Sequence, residues 1–419
     1  MLFKLMPGLK KLIQYDRSNL SGDITSGMIV AFLLIPQSIA YAIIAGVPPT
    51  MGLFAGTFPL IIYALFGSSN YLSVGPVSIV SLLTFSGISG IVPPDTFHFF
   101  QSIVLLTLIV GIVQLLLGMI KFGSFFDYIS PAIISGFTSA AAIIIALNQV
   151  TSITGISLTS YQNIVSYTYN LIQHLSSANP YTVGVGMGSL LLLLIIKKKF
   201  LTGPFLVIIT SIIIVDYFDL NKRGVEIVGE IPQKVMGPFL QIPTSNTLIT
   251  LFPIALMIGF ISFFESYAIA KTLAAKENDQ LNPNQELFGL GLANITSSIV
   301  GGIPVAGGIS RTAVTHQSGT KSNLSLVITA LFVLLATLYF TPLFYYLPKA
   351  TLAAIIIIAV SNLINVKHIL YYAKNSPSDA LILLVTFTAT LTIDIFTGLI
   401  IGIFLSLLIN LMKRKAFAI

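Results

Sequence analysis

The chain has 419 residues, 55% of them hydrophobic and 8% charged, where a soluble domain carries roughly a quarter charged residues; water is therefore excluded as its main solvent. A net charge of +7 would suit nucleic acid, but the basic residues form no stripe and lack an aromatic-rich polar surface, so no nucleic-acid partner is expected. The absence of cysteine excludes disulfides, thiolate metal sites and cysteine nucleophiles.

Residues 1–22 mix charge with apolar residues and lack an apolar core followed by a small-residue cleavage site, which predicts a cytoplasmic interfacial segment. The first apolar block runs from Asp23 to Gly46 and the next from Met51 to Phe66, after the turn "GVPPT". A third begins at "SVGPVSIVSLL", which Gly75 and Pro76 interrupt. Spans near 100–120 and 124–149 follow, the second expected to bend at Pro131. In 161–178, Ile164, Tyr167, Leu171 and Leu175 form one apolar stripe, which predicts a helix lying along the outer interface. Spans near 181–196 and 203–218 close the first half.

The polar stretch 219–246, including "VEIVGEIPQKV", reads as an extended extracytoplasmic linker. Beyond it lie spans near 247–275 and 285–303, an interrupted one near 304–321, and spans near 323–340 and 348–364. An amphipathic connector, "VKHILYYAKNSPSD", leads to two short spans between Ala380 and Met412. The expected fold is an all-α polytopic membrane protein of about fourteen transmembrane segments. They are arranged as two inverted repeats of about seven each, 23–218 and 247–415, with short extended pieces in segments 3 and 10. Gln37 and Glu265 stand 228 residues apart, and so do Pro76 and Pro304, which supports the repeat. Most basic residues, among them Lys10, Lys11, Arg17, Lys121, Lys197 and Lys413, fall on one side if both termini are cytoplasmic, while Lys222, Arg223, Lys234 and Lys349 fall outside.

The segment "GGIPVAGGISRTAV" cannot form a continuous helix, and irregular backbone persists at membrane depth only where it is buried or faces a cavity. A helix restarting at Ser310 would aim free N–H groups and the positive end of its dipole into that cavity, as Val77 and Ser78 would from the matching interruption. Two such ends favour an anion. The alternative is that the glycines serve only close helix packing. Arg311 and Glu265 are ionisable residues within membrane segments, which face cavities or pair with one another. Arg311 either raises the potential for an anion or neutralises Glu265; Glu265 is either a proton acceptor or a permanent partner of Arg311. Gln37 and Tyr41 lie one turn apart and face the same side. Asp394 is expected to cap or bridge the last two helices. The four histidines have no metal-ligand spacing, so no metal and no cofactor are expected. No HExxH, GxSxG or Walker A pattern is present, which argues for a transporter over an enzyme.

These residues resemble the SulP family of sulfate permeases and related anion transporters. The resemblance is carried by "GMIVAFLLIPQSIAYAIIAGVPPTMGLFAG" and "NPNQELFGLGLANITSSIVGGIPVAGGISRTAVTHQSGTKS", and it extends from Asp23 to about Lys415. It implies a fold shared with uracil-type (UraA-like) permeases, with segments 1–4 and 8–11 forming a core domain and 5–7 and 12–14 a gate domain. It also implies a substrate site of Gln37, Tyr41, Val77, Ser78, Ser310 and Arg311, with Glu265 as the coupling residue. The implied activity is secondary transport of sulfate, bicarbonate or a dicarboxylate by symport or exchange, in an elevator-like cycle at the plasma membrane (a bacterial inner membrane). The implied partners are the lipid bilayer and a second copy of the chain. Ile269, one turn beyond Glu265, offers no oxygen ligand, which favours protons over sodium. Most members continue into a STAS domain, and this chain stops at "KRKAFAI" without one. The rival readings are an anion exchanger or channel-like member, and a nucleobase permease, which Arg311 in place of a carboxylate disfavours.

Overall fold

The computed structural model describes residues 5–94, 96–128, 130–156, 158, 164–196, 203–231, 245–277, 279–320, 322–361, 363–364 and 366–416. It divides into two compact units, Met1–Ser124 with Gly229–Tyr345, and Phe125–Val228 with Tyr346–Ile419. Among the described residues, six helices are long and apolar enough to cross a membrane. Shorter apolar helices of 10–17 residues accompany them, each below the roughly 20 residues a full crossing needs.

In the first unit, α1 (Pro7–Ile13), α2 (Leu20–Ile44), α3 (Pro49–Ala55) and α4 (Phe58–Phe66) precede a two-residue strand, β1 (Val74–Gly75). Then come α5 (Ser78–Ser89) and α6 (Phe97–Met119), whose N-terminus is capped by Thr96 accepting from Phe99 N–H. After the described break, α11 (Ser245–Glu277) and α12 (Pro283–Ile299) lead to β2 (Ala306–Gly307), α13 (Ile309–Gln317) and α14 (Leu324–Leu335). Helices α6 and α12 meet backbone to backbone. A Cβ added at Gly291 would lie 2.5 Å from Leu115 N, and one at Gly111 would lie 2.8 Å from Gly291 O. Small residues at such crossings let helices approach where lipid offers no hydrophobic drive for association.

The second unit contains α7 (Pro131–Thr154), α8 (Ile164–His174), α9 (Pro180–Ile195) and α10 (Gly203–Tyr217). Its later part holds α15 (Lys349–Ser361), α16 (Val366–Asn375), α17 (Pro377–Thr392) and α18 (Ile395–Ala416). Pro131 does not bend a span as expected. It opens α7, where its missing N–H is one that has no helical acceptor anyway, and Ser130 caps the helix by accepting from Ala132 N–H. The expected apolar stripe on 161–178 is also revised. Tyr167 is buried, but Leu175 is exposed together with Val165, Tyr169 and Ile172, so α8 presents apolar residues outward as well as inward. Asp394 caps α18 through bonds from Phe396 N–H (2.8 Å) and Thr397 N–H (3.0 Å). The expected extended linker 219–246 is corrected at both ends, since Leu220–Arg223 form a 3-10 turn and residues 245–246 already belong to α11; Ile227 bridges Pro348, and 232–244 lies outside the described residues.

One buried carboxylate organises the approach to β1. Glu286, on the first turns of α12, is fully buried. Its Oε2 accepts from Tyr63 O–H at 2.6 Å, and its Oε1 accepts from Ser68 N–H and Oγ–H at 2.7 Å each and from Ser69 N–H at 3.0 Å. Lys11 of α1 closes the same loop from outside, donating to Ser68 O and to Asn70 Oδ1. Burial lowers the Lys11 ammonium pKa against the pull of Asp279 and Glu286. Replacing Glu286 by Ala strands these donors at about 1–3 kcal/mol each before relaxation. We expect Glu286→Ala to lower the thermal unfolding midpoint in detergent well below that of Glu286→Gln, which keeps acceptor capacity. Equal midpoints for Glu286→Ala and wild type would show that the loop is held otherwise.

Candidate functional site

The chain leaves helical geometry between α12 and α13, and the freed backbone groups are met one by one. Gly302 N–H donates to Ser297 O, and Ser297 Oγ donates to Ile303 O, both at 2.6 Å. Asn294 pairs both sides of Val305, accepting its N–H at 2.8 Å and donating to its carbonyl at 3.1 Å. β1 and β2 then run antiparallel, Val74 opposite Gly307 and Gly75 opposite Ala306. Ser266 Oγ accepts Gly307 N–H at 2.7 Å, Ser73 O accepts Gly308 N–H at 3.0 Å, and Thr312 Oγ1 accepts Ser73 N–H at 3.0 Å. Unpaired backbone groups in this setting would cost several kcal/mol each, which is why a side chain or a main-chain carbonyl meets each of these groups.

Each strand delivers the chain to a helix start. α5 begins at Ser78 after Val77, and α13 begins at Ile309 after Gly308; neither preceding residue supplies a side-chain cap. The first N–H groups of a helix have no acceptor within it, and they carry the positive end of the helix dipole. Ile309 is 44% exposed and Ser310 half-buried, so the start of α13 is reachable from outside the protein core.

Arg311 is the largest of the fully buried side chains, 1% exposed. Its Nη1 donates to Gln37 Oε1 at 2.9 Å and to Pro76 O at 3.0 Å. Gln37 Nε2 in turn donates to Ser310 Oγ at 3.5 Å. Among the described residues, the buried Nε and Nη2 atoms of Arg311 have no hydrogen-bond partner, and neither does the buried Oε2 of Glu265. No ion pair joins Arg311 to Glu265 among the described residues. The guanidinium fits because position 308 is glycine: a Cβ there would lie 2.6 Å from both Cζ and Nη2 of Arg311.

The residues singled out from the sequence divide as follows. Gln37, Ser310 and Arg311 are joined by hydrogen bonds. Tyr41 faces Ser78 and lies within the electrostatic reach of Arg311 and Glu265. Val77 is the residue before α5, buried and extended. Glu265 shares the electrostatic environment of Arg311 without bonding to it. Sequence reasoning missed Glu286, Asn294, Ser297, Ser266 and Thr312, which hold the frame. A run such as "ANITSS" in an apolar helix carried the signal, since small polar side chains there must find partners.

The sequence profile of the Sulfate permease family matches residues 20–386, which include every residue of this constellation. The chain belongs to the sulfate permease family. It is 35% identical over 400 residues to Sulfate transporter 4.1, chloroplastic, of Arabidopsis thaliana, covering 92% of this chain and 57% of that protein. It is 30% identical over 412 residues to a probable sulfate transporter of Mycobacterium tuberculosis, covering 98% and 73%. The chain thus spans just over half the length of its Arabidopsis relative. Among solved structures, murine Solute Carrier 26 family member A9, an anion transporter in the inward-facing state, aligns with a TM-score of 0.90 at 23% identity, covering 98% of this chain and 72% of that one. The transmembrane domain of a cyanobacterium bicarbonate transporter aligns with a TM-score of 0.80 at 22% identity, covering 94% and 98%. These likenesses show a shared fold, and together with the apolar helices they make this sulfate permease family member a multi-pass membrane protein.

The contact between Gly308 and Arg311 can be isolated. Gly308→Ala is expected to cost about 1–3 kcal/mol by overpacking, read as a lower unfolding midpoint. In an Arg311→Ala background the same substitution should cost much less, because the overlapping group is gone. Equal costs in the two backgrounds would show that the methyl meets something other than the guanidinium.

Proposed function

We propose that this protein is a secondary transporter of a small anion, of the sulfate, bicarbonate or dicarboxylate class, coupled to protons through Glu265. The observation that carries the reading is the buried Nε and Nη2 of Arg311, left without partners beside the starts of α5 and α13. A buried cation is costly unless paired. An anion seated at the two helix starts would complete the charge and take the free N–H groups. Gln37 positions the guanidinium and Ser310, and Tyr41 and Ser78 supply hydroxyls from the facing side.

Glu265 supplies the coupling in this scheme. Ionised, it offsets the positive field that attracts the anion; protonated, it leaves that field to the substrate, so proton and anion move together. Protons rather than sodium fit the absence of an oxygen ligand at Ile269. All seven residues belong to the first unit, Met1–Ser124 with Gly229–Tyr345. That supports reading this unit as the core domain of segments 1–4 and 8–11, and the other as the gate domain of segments 5–7 and 12–14. The core would carry the site between the two sides of the membrane in an elevator-like cycle. In the full topology of about fourteen segments, the short apolar helices serve as partial crossings. The names of the sulfate and bicarbonate transporters to which the chain is similar support the anion class. The proposed location is the plasma membrane with both termini cytoplasmic.

Purified protein in proteoliposomes should accumulate labelled sulfate or bicarbonate when a pH gradient is imposed, and counterflow against a gradient should separate a carrier from a channel. Arg311→Ala should reduce uptake and anion affinity at least about tenfold, or 1.4 kcal/mol. Glu265→Gln should keep anion binding while uptake stops following the pH gradient. Uptake that ignores pH and follows a sodium gradient would sink the proton assignment, and wild-type affinity in Arg311→Ala would sink the anion site.

A further inference from the structure

The second unit contains a cavity that the proposed anion path does not use. Its volume is about 270 Å³, near the lower end of small-ligand sites. Thr151, Ser152 and Gly155 line it from the end of α7, and Thr182 from α9. Glu226 and Lys349 contribute the charges. Lys349 Nζ lies 3.0 Å from Glu226 Oε2, with the side chains 41% and 69% exposed. Main-chain bonds fix the pair in place, Lys349 N–H to Glu226 O and Val228 N–H to Leu347 O, each at 2.9 Å.

The charges of this cavity come in balanced pairs. Lys349 is the first residue of α15, so the ammonium coincides with the positive end of that helix. The cavity also receives the end of α7, which closes at Thr154 with Gly155 in the left-handed conformation, φ 72°. The carbonyl end of a helix is its negative end, and Glu226 adds a carboxylate. One positive helix end with an ammonium and one negative helix end with a carboxylate match neither a simple anion nor a simple cation. The hydroxyls of Thr151 and Thr182 donate to Asn148 O and Gly224 O and keep lone pairs with which to accept, and Ser152 adds a third hydroxyl.

We propose that this cavity binds a small zwitterion in which an ammonium is joined to a phosphate or carboxylate. The oxyanion is held by the Lys349 ammonium at the positive end of α15, and the ammonium by Glu226 and the end of α7. Such a group reaches the cavity as a free solute or as the headgroup of a lipid. In the same unit, α8 exposes Val165, Tyr169 and Ile172 along one face, a surface against which acyl chains would lie.

The test uses the whole protein in nanodiscs of phosphatidylglycerol alone, titrated calorimetrically with phosphoethanolamine. Saturable binding is expected, weakened at least tenfold in Lys349→Met and in Glu226→Gln. Ser152→Phe fills the cavity while leaving the ion pair intact and should abolish binding; unchanged unfolding midpoints confirm that the variants fold. Inorganic phosphate and ethanolamine should each bind at least tenfold more weakly than phosphoethanolamine. Binding should persist in Arg311→Ala, which separates this site from the anion site. If phosphatidylethanolamine added to the disc competes with phosphoethanolamine, the lipid headgroup is the source; if it does not, the source is a free solute. Absence of saturable binding, equal binding to Ser152→Phe, or phosphate alone binding as tightly would overturn the proposal.

Discussion

Two short extended strands crossing inside a helical membrane protein impose the constraint on which the rest of this structure depends. A helix satisfies its own backbone, whereas β1 and β2 satisfy each other only along the edge they share. Every other polar group of these segments needs a dedicated partner. Asn294, Ser297, Ser266, Ser73 and Thr312 are those partners, and they come from four separate stretches of chain. Gln114 extends the frame by accepting from Asn294 and donating to Ser262 Oγ and Gly259 O, which ties α6, α11 and α12 to the crossing. The helix starts at Ser78 and Ile309 are consequently fixed by this frame of partners.

The contrast between three buried ionisable groups separates frame from site. Glu286 receives four hydrogen bonds and is a finished structural joint. Among the described residues, Arg311 bonds through Nη1 alone, and Glu265 leaves Oε2 unpaired. Burial without full pairing is expensive, and it persists in folded proteins where a changing partner or charge uses the vacancy. Glycine at 308 admits the guanidinium at the price of a flexible residue beside the helix start, and the bond from its N–H to Ser73 O offsets that freedom.

Much of this was readable from residues alone, for physical reasons. Apolar runs near 20 residues announce helices because lipid allows little else. Gly75, Pro76 and the glycines of "GGIPVAGG" mark where helices fail, and the structure places β1 and β2 there. Gln37, Ser310 and Arg311, which the family resemblance groups together, are joined by bonds. Pro131 was misread because proline bends a helix interior and opens a helix equally well, and only the cap at Ser130 decides between them. Apolar periodicity identifies the helix α8 without saying which side meets protein and which meets lipid. Glu286 escaped notice because its partners lie more than 200 residues away, at Ser68 and Ser69, 218 and 217 positions off. Acidic residues in a first helical turn are ordinarily explained by the dipole, so nothing local asked for another account.

Consecutive residues on α11 connect the charge to the frame. Glu265 carries a carboxyl whose Oε2 has no partner among the described residues, and Ser266 is the acceptor for Gly307 N–H, one residue before Gly308, against which Arg311 lies. Ser266 Oγ also donates to Ser262 O at 2.5 Å, so it is held within its own helix while it holds β2. A shift of α11 that followed a change of charge at Glu265 would pull on β2 through this single hydroxyl, and β2 leads directly into the start of α13. Protein interiors transmit such displacements because they are close-packed. In the proposed cycle the carboxyl therefore acts on the anion site in two ways, through its field on Arg311 and through the position of the strand that sets where α13 begins.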